Sequence, residues 1–230
     1  MPRPTLAAAA TLLALVAGLA APPALALSPG QSDSFQDGTT LGWAAGAPHP
    51  APPAHVATGG PAGAGDGYLL LRAFGSSFGA GSRLVAFNRA QWAGDYSAAG
   101  ITMLTMDVNN FGPSDLSLRL LFEGGGPPTT DAAWSAAPVF VPAGSGWQRV
   151  VFPITVADLA APPGHDIATA LGNTHTLRLY HSLASTFPGD MISVTLGVDN
   201  ITAVPEPAGA LLLAGGLVAL AARRRRQRSA

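Results

Sequence analysis

Apolar and polar residues alternate with a period of two through much of this 230-residue chain, which is the pattern of half-buried β-strands. The clearest stretch is 116–123, where Leu, Leu, Leu and Phe alternate with Ser, Arg, Leu and Glu. A Gly-Gly-Gly-Pro-Pro run follows at 124–128 and ends the stretch, because glycine and proline interrupt strands. The pattern therefore predicts a strand that presents one face to a core.

Several other short stretches carry strand signals and are separated by turn residues. They are 68–74, 82–87, 101–109, 138–141, 147–154, 176–181 and 192–202. Residues 166–171 predict one or two helical turns, and between 44 and 65 the chain is mainly alanine, glycine and proline, which predicts an irregular loop. Many short strands without a long amphipathic helix favour an all-β sandwich.

The two ends of the chain conceal the charge of its middle part. The whole chain has a formal net charge of −1, but residues 27–204 contain six arginines, no lysine and twelve acidic residues, which gives −6. An acidic body is not expected to bind nucleic acid. The chain contains no cysteine, so packing must supply the stability that many exported proteins take from disulfides.

Residues 1–26 have the three parts of a secretory signal peptide. Arg3 supplies the positive region, 6–21 is apolar, and an Ala-Leu-Ala sequence at 24–26 fits the small-x-small cleavage rule. We expect signal peptidase to cut there and to leave Leu27 as the first residue. The alternative is an uncleaved N-terminal anchor helix.

The C-terminal segment 204–230 joins a short polar motif, an apolar run at 208–222 and a basic end. As a helix, the 15 residues of the run would span roughly 22 Å, which is less than the roughly 30 Å hydrocarbon core of a bilayer. Basic residues stay on the cytoplasmic side, which puts the preceding domain outside. The motif is Val204, Pro205, Glu206 and Pro207, and the basic end begins with Arg223, Arg224, Arg225 and Arg226.

This segment resembles the PEP-CTERM sorting signal of bacteria that make exopolysaccharide. The resemblance implies recognition by an exosortase, cleavage near the Pro-Glu-Pro motif, and transient insertion of 208–222 in the inner membrane. It also implies that the processed protein is at the cell surface or in the extracellular matrix, and that it is membrane-anchored before processing. The alternative is a plain single-span anchor.

Three motifs lie in the body, residues 27–203. They are Phe-Gln-Asp-Gly at 35–38 with Gly-Trp at 42–43, Gly-Trp-Gln-Arg-Val-Val-Phe at 146–152, and Leu-Gly-Val-Asp-Asn-Ile at 196–201. With these motifs the body resembles the jelly-roll folds of carbohydrate-binding modules and galactose-binding-like domains. The resemblance implies one β-sandwich domain whose two ends are adjacent.

Aromatic side chains outside the motifs are the candidates for sugar binding, because aromatic faces stack on sugar rings. Trp92 and Trp134 lie in segments that predict loops, so we expect them to be exposed. Trp43 and Trp147 lie in the motifs and are expected in the core. The alternative is that all these aromatics are core residues. The candidates are Trp92, Tyr96, Trp134 and Tyr180, with Asn109, Asn110 and Arg178 as hydrogen-bonding partners.

The body is also a candidate for one structural calcium ion, which prefers six to eight oxygen ligands. Asp33, Asp37 and Asp199 would be neighbours if the first and last strands pair, and modules of the kind it resembles hold calcium near that place. The alternative is that Asp33 and Asp37 form turns, as the Asp-Gly sequence at Asp37 suggests, and that Asp199 is an exposed strand residue.

Catalysis has little support in the sequence. Glycoside hydrolysis needs two opposed carboxyl groups, and Glu123 is the one glutamate of the body. Neither a Gly-x-Ser-x-Gly motif nor a zinc-ligand cluster is present. We therefore expect a non-enzymatic exported protein that binds exopolysaccharide. The alternatives are a structural or adhesive matrix protein without a specific glycan and, less favoured, a glycan hydrolase.

Overall fold

The computed structural model describes residues 27–75, 79, 81–126 and 129–206. In these ranges the chain forms short β-strands, one α-helix and one 3₁₀ turn at Val156–Asp158. The strands are β1 Ser32–Asp33, β2 Ala54–Val56, β3 Tyr68–Phe74, β4 Val85–Asn88, β5 Ile101–Asn110, β6 Leu116–Gly126, β7 Thr129–Ser135, β8 Val139–Val141, β9 Trp147–Pro153, β10 Leu159–Ala160, β11 Thr174–His181 and β12 Ser193–Pro205, and the helix is α1 Ile167–Gly172.

The strands form two six-stranded sheets that face each other. Sheet 1 has the order β2-β3-β12-β5-β9, with β1 also paired to β12. Sheet 2 has the order β10-β7-β6-β11-β4, with β8 also paired to β6. All the strand pairs are antiparallel. The all-β jelly-roll sandwich expected from the sequence is confirmed.

The core lies between the two sheets and is built from the apolar positions of the alternating strands. In β6 the residues that alternate inward are Leu116, Leu118, Leu120 and Phe122, none of which is exposed to solvent. From sheet 1, residues such as Leu104 and Val198 are equally buried. The period of two therefore predicted correctly which side of β6 enters the core.

The first and last strands pair with each other, as the resemblance implied. Asp33 of β1 lies opposite Ile201 of β12. The register of β12 shifts between Asp199 and Thr202, and Asn200 has a φ of 50° at that point. Asparagine tolerates this left-handed backbone better than most residues, and the bulge allows β12 to pair with β3 in its first half and with β1 in its second.

Three features of the fold depart from the expectations. The segment predicted as an irregular loop contains β2, and β7 and β10 lie where no strand was predicted. The strand β7 escaped prediction because its buried side chains in the second half are Ala133 and Ser135, which are small and give a weak strand signal.

The last strand extends into the segment assigned to sorting. Val204 pairs with Met103, and Pro205 pairs with Ile101, while the Glu206 N–H donates to the Gly100 carbonyl. The signal peptide, the apolar run and the terminal arginines lie outside the described residues. No helix of the described ranges has the length and apolar character needed to cross a bilayer.

Candidate functional site

Two of the aromatic candidates for sugar binding lie in the core, and the expectation of an exposed Trp92 is wrong. Trp92 has no exposed surface, and Tyr96 is 1% exposed. The Tyr96 hydroxyl donates to the Trp92 carbonyl oxygen at 2.9 Å, and the Tyr96 ring packs edge-on against Phe122. Both rings are held between the sheets, where they cannot stack on a glycan.

Asp33 explains why Trp92 is buried despite its polar indole nitrogen. One oxygen of Asp33, Oδ2, accepts the indole N–H of Trp92 at 2.7 Å and that of Trp43 at 2.8 Å. The Gln91 side-chain amide donates to the same carboxylate at 3.1 Å. Asp33 is 4% exposed, and burial raises its pKa although these three donors act in the opposite direction. Its role here is to satisfy buried donors.

The three carboxylates proposed for calcium do not form a common site. Asp37 is exposed and accepts from the Thr39 N–H and hydroxyl within its turn. Asp199 is fully buried, and burial raises its pKa to about 7. Among the described residues, no group of three or more His, Cys, Asp or Glu side chains is arranged to hold a metal ion. Calcium binding itself stays a prediction.

Trp134 and Tyr180 do lie on one surface, the outer face of sheet 2. Register places Phe87 of β4 beside Arg178 of β11, Arg178 beside Leu121 of β6, and Leu121 beside Trp134 of β7. We call these four residues the outer row. At about 4.8 Å per strand, its two aromatic ends are roughly 14 Å apart. Trp134 is half-buried in a strand, so the prediction of an exposed loop tryptophan is wrong.

Arg178 is at the centre of the polar groups on this face. Its guanidinium carbon lies 5.2 Å from the ring centre of Phe87 and 5.4 Å from that of Phe187, within the range of cation–π attraction. Its Nη2 donates to Glu123 Oε2 at 2.8 Å. Arg89 also lies over Phe87, at 4.7 Å. The face therefore offers aromatic surface and charged hydrogen-bonding groups side by side.

Three buried polar atoms on this face have no hydrogen-bond partner. Within the part of the chain that the structure describes, they are Trp134 Nε1, Arg178 Nε and the Tyr180 hydroxyl. Tyr180 is fully buried beneath Phe187, whose ring centre is 5.4 Å away. Burial raises the pKa of Tyr180, while the neighbouring Arg119 acts to lower it. Unpaired buried polar atoms are uncommon in native proteins, and Gln148 Nε2 and Ser185 Oγ are two further ones among the described residues.

Arg119 lies next to Tyr180 in the sheet and is a buried cation. It is 3% exposed. Its guanidinium donates to four backbone carbonyl oxygens, at distances of 2.6–3.1 Å. These belong to Ser135, Ala136, Ser182 and Leu183. The guanidinium thus holds the 182–183 segment over the sheet and is itself closed to a ligand.

A cavity of about 200 Å³ opens beside Arg178. It is lined by Arg83, Arg178 and His49 and by the apolar Val85 and Pro188, with glycines completing the wall. Arg83 donates from Nε to the Gly189 carbonyl oxygen at 2.9 Å. Among the described residues, no carboxylate lies in the lining.

The opposite face, on sheet 1, carries an aromatic cluster that the sequence analysis did not select. Tyr68, Phe111 and Trp147 pack edge-on or tilted with ring centres 5.2–6.1 Å apart. Trp147, expected in the core, packs over Gly197, where an added Cβ would lie 2.8 Å from its ring. Its indole N–H donates to the Gly59 carbonyl oxygen at 2.9 Å. The indole of Trp147 thus has a hydrogen-bond partner, unlike that of Trp134 on the outer face of sheet 2.

The two asparagines proposed as partners of the sugar site lie on sheet 1, away from the outer row. Asn110 is fully buried, and its amide donates to the Ser114 carbonyl oxygen at 2.8 Å. Asn109 is 8% exposed and pairs with Trp147 in the sheet. The residues that lie beside Arg178 on the outer face of sheet 2 are Phe87 and Glu123, which the sequence analysis did not select. The apolar alternation of 82–87 was a signal for Phe87, but the pairing of β4 with β11 was not predictable from it.

No protein-family model matches the chain, and no curated protein matches it. Several solved structures are similar to the chain. One is a family 11 carbohydrate-binding module from Clostridium thermocellum in complex with a β-1,3-1,4-mixed-linked tetrasaccharide, with a TM-score of 0.51 and 15% identity over 77% of this chain and 97% of that one. The fold is the jelly roll of carbohydrate-binding modules.

Two further structures share this fold. The family 11 module of a cellulosomal cellulase of Clostridium thermocellum has a TM-score of 0.53 and 14% identity over 78% of this chain and 96% of its own. An exo-β-agarase has a TM-score of 0.51 and 15% identity over 78% of this chain, which corresponds to 25% of the agarase. At these identities the similarity concerns the fold, and the ligand must be argued from the residues of this chain.

Proposed function

We propose that this protein is a non-catalytic module that binds exopolysaccharide through the outer face of sheet 2. The observation that carries the proposal is the outer row itself, in which the partly exposed Phe87, Arg178 and Trp134 lie across neighbouring strands. Glycan hydroxyl groups can accept hydrogen bonds from a guanidinium, and aromatic rings can stack on sugar rings. The jelly-roll fold adds general support.

In the outer row, the aromatic and the charged residues would have different roles in binding. Phe87 and Trp134 are half-buried and would stack on the apolar faces of two sugar rings, for which the roughly 14 Å between them leaves room. Arg178, already fixed between Phe87 and Phe187, would bind ring hydroxyls between these two positions. A side chain that is fixed before binding loses little conformational entropy on binding.

Alanine variants at the two ends of the row test this arrangement. We expect Phe87→Ala and Trp134→Ala each to weaken binding to a soluble polysaccharide at least tenfold in affinity electrophoresis or calorimetry. Phe111→Ala is the matched control, because Phe111 is 47% exposed on the opposite sheet. If Phe111→Ala abolishes binding and the other two variants do not, the site lies on sheet 1 and the proposal fails.

Tyr180→Phe tests the buried part of this face, because it removes one hydroxyl and leaves the ring packing unchanged. An unpartnered buried hydroxyl costs about 1–3 kcal/mol, so the variant should be more stable than the wild type. Tyr180 lies beneath Phe187 and has no exposed surface, so the affinity for the polysaccharide should not change. A fall in affinity in the folded variant would mean that the glycan reaches the hydroxyl and that Phe187 moves on binding.

We further propose that the protein is exported and sorted to the cell surface or matrix. The support is in the sequence: the signal-peptide pattern of 1–26, the Pro-Glu-Pro motif and the terminal arginines. Replacing Pro205, Glu206 and Pro207 by alanine should retain the protein in the inner membrane of a host that has an exosortase. Cell fractionation measures this, and unchanged release would contradict recognition by an exosortase.

Two other functions remain as outcomes of these experiments. Failure to bind any matrix polysaccharide, with normal sorting, would favour a structural or adhesive matrix protein. Release of reducing sugar from a bound polysaccharide would favour a hydrolase. The ion pair of Glu123 with Arg178 keeps the one glutamate of the body engaged, which argues against that role.

A further inference from the structure

Charge is distributed unequally between the two faces of the sandwich. Arg83 and Arg89 flank β4: Arg83 lines one cavity with Val85 and Arg178, and Arg89 lies over the Phe87 ring. The register adds Arg119 and Arg178 to the outer face of sheet 2. Four of the six arginines of the acidic body therefore lie on one face. Glu123 is the one acidic residue in the register-paired part of that face.

Few of these cations are neutralised. Among the described residues, two pairs of opposite charge come within 4.0 Å, and the pair on this face is Arg178 with Glu123. Arg119 donates to four backbone carbonyl oxygens. Burial lowers the pKa of its guanidinium, but an arginine stays protonated in proteins. A buried charge is weakly screened, so Arg119 contributes a positive potential beside the outer row.

The cavity beside Arg178 is the place where this potential reaches solvent. In the part of the chain that the structure describes, its lining contains two arginines and a histidine and no acid. The His49 Nδ1 accepts the Ala51 N–H at 3.1 Å, which leaves the proton of the neutral ring on Nε2 as a donor. Arg178 supplies the second guanidinium of the lining. Donors predominate in the cavity, and carboxylate or sulfate oxygens are the acceptors that match them best.

We propose that the glycan bound by this protein is anionic, and that one of its carboxylate or sulfate groups occupies the cavity between Arg83, Arg178 and His49. The inference rests on the proposed glycan binding and adds the chemical class of the ligand. The aromatic ends of the outer row hold the sugar rings, and the cavity selects the charged substituent.

Matched pairs of polysaccharides separate this inference from glycan binding in general. Polygalacturonate and its methyl ester have the same backbone and differ in carboxylate charge, and a sulfated galactan and its desulfated form differ in sulfate. We expect the charged member of at least one pair to bind at least tenfold more tightly in calorimetry. Raising the salt from 0.1 to 1 M shortens the Debye length from about 10 to 3 Å and should reduce that preference.

Variants that are expected to lower or to raise the preference for the charged polysaccharide show where its charged group binds. Arg83→Gln and Arg178→Lys should lower the preference for the charged member, since lysine keeps the charge but loses the planar fork. Glu123→Gln should increase it, because it removes the competing carboxylate. Arg72→Ala, an exposed arginine on sheet 1, is the control and should change nothing. Thermal unfolding of each variant shows whether it is folded.

The outcomes distinguish the two proposals. Equal affinity for the charged and neutral members would overturn the anionic ligand and leave glycan binding standing. Absence of binding to all four polysaccharides would overturn both. The preference for the charged member would not originate in the cavity if it remained in the folded Arg83→Gln and Arg178→Lys variants. The same conclusion would follow if Arg72→Ala removed that preference.

Discussion

Asp33 offers the most direct test of how this core is held together, because one buried carboxylate serves three side-chain donors. Trp43, Trp92 and Gln91 all donate to it. The proposed change is Asp33→Ala, which removes the acceptor and leaves both indole N–H groups in the core.

The magnitude follows from the groups left unpaired. A buried donor without a partner costs about 1–3 kcal/mol, so two indoles would cost about 2–6 kcal/mol. The lower part of this range is expected, because the raised pKa of Asp33 shows that burial already disfavours its charged form. We expect a loss of about 3 kcal/mol in the free energy of unfolding. In a domain of 150–250 residues this corresponds to a fall of about 6–12 °C in melting temperature.

The assay is chemical denaturation monitored by tryptophan fluorescence, to which the two indoles contribute as two of the four tryptophans of the chain. Asp37→Ala is the matched control, because Asp37 is exposed and bonds within its own turn. Asp33→Asn should fall between the control and Asp33→Ala, since its amide keeps one acceptor oxygen. A loss below about 1 kcal/mol for Asp33→Ala, or an equal loss for Asp37→Ala, would refute the role assigned to the carboxylate.

Three further predictions concern pH, packing and metal. Burial lowers the pKa of His181, and its Nδ1 accepts the Ser117 N–H at 3.0 Å. The free energy of unfolding should therefore decrease as the pH falls through the pKa of histidine in the unfolded chain, about 6.5. Urea unfolding at pH 7.5 and 5.5 should show a smaller decrease for His181→Gln than for the wild type. Gly124→Ala should cost about 1–3 kcal/mol, because its Cβ would lie 2.6 Å from the Ala170 Cα, whereas Gly46→Ala meets open space and should be neutral in the same melts. If calcium is a structural ion, a chelator should lower the melting temperature of the calcium-loaded protein, and an unchanged value would end that hypothesis.

Local pattern was sufficient for most of the sandwich. The strand predicted at 68–74 matches β3, and the one predicted at 101–109 differs from β5 by one residue. Each has large apolar residues at alternate positions, a signal that is contained within the strand itself. The same reasoning failed for β7, β2 and β10, which are short or small-residue strands held mainly by their neighbours in the sheet.

The candidate site was predictable only in part. Trp134, Tyr180 and Arg178 were selected by residue type, and they do share one face. Trp92 was misjudged because its polar nitrogen is satisfied by Asp33, 59 residues away in sequence. Arg119 lies on the side of β6 that faces away from the core, yet the 182–183 segment covers it. A covering segment from elsewhere in the chain leaves no mark in local periodicity.

The sequence by itself determined the class of the fold, the acidic character of the body and the two terminal signals on which the proposed export rests. These properties depend on composition and on the order of neighbouring residues. Only the tertiary structure decided which aromatic rings are in the core, that Asp33 holds two indoles, and that four arginines lie on one face of an acidic protein. Those facts depend on which strands pair and in what register, and a change of register by one residue would put each side chain on the other face.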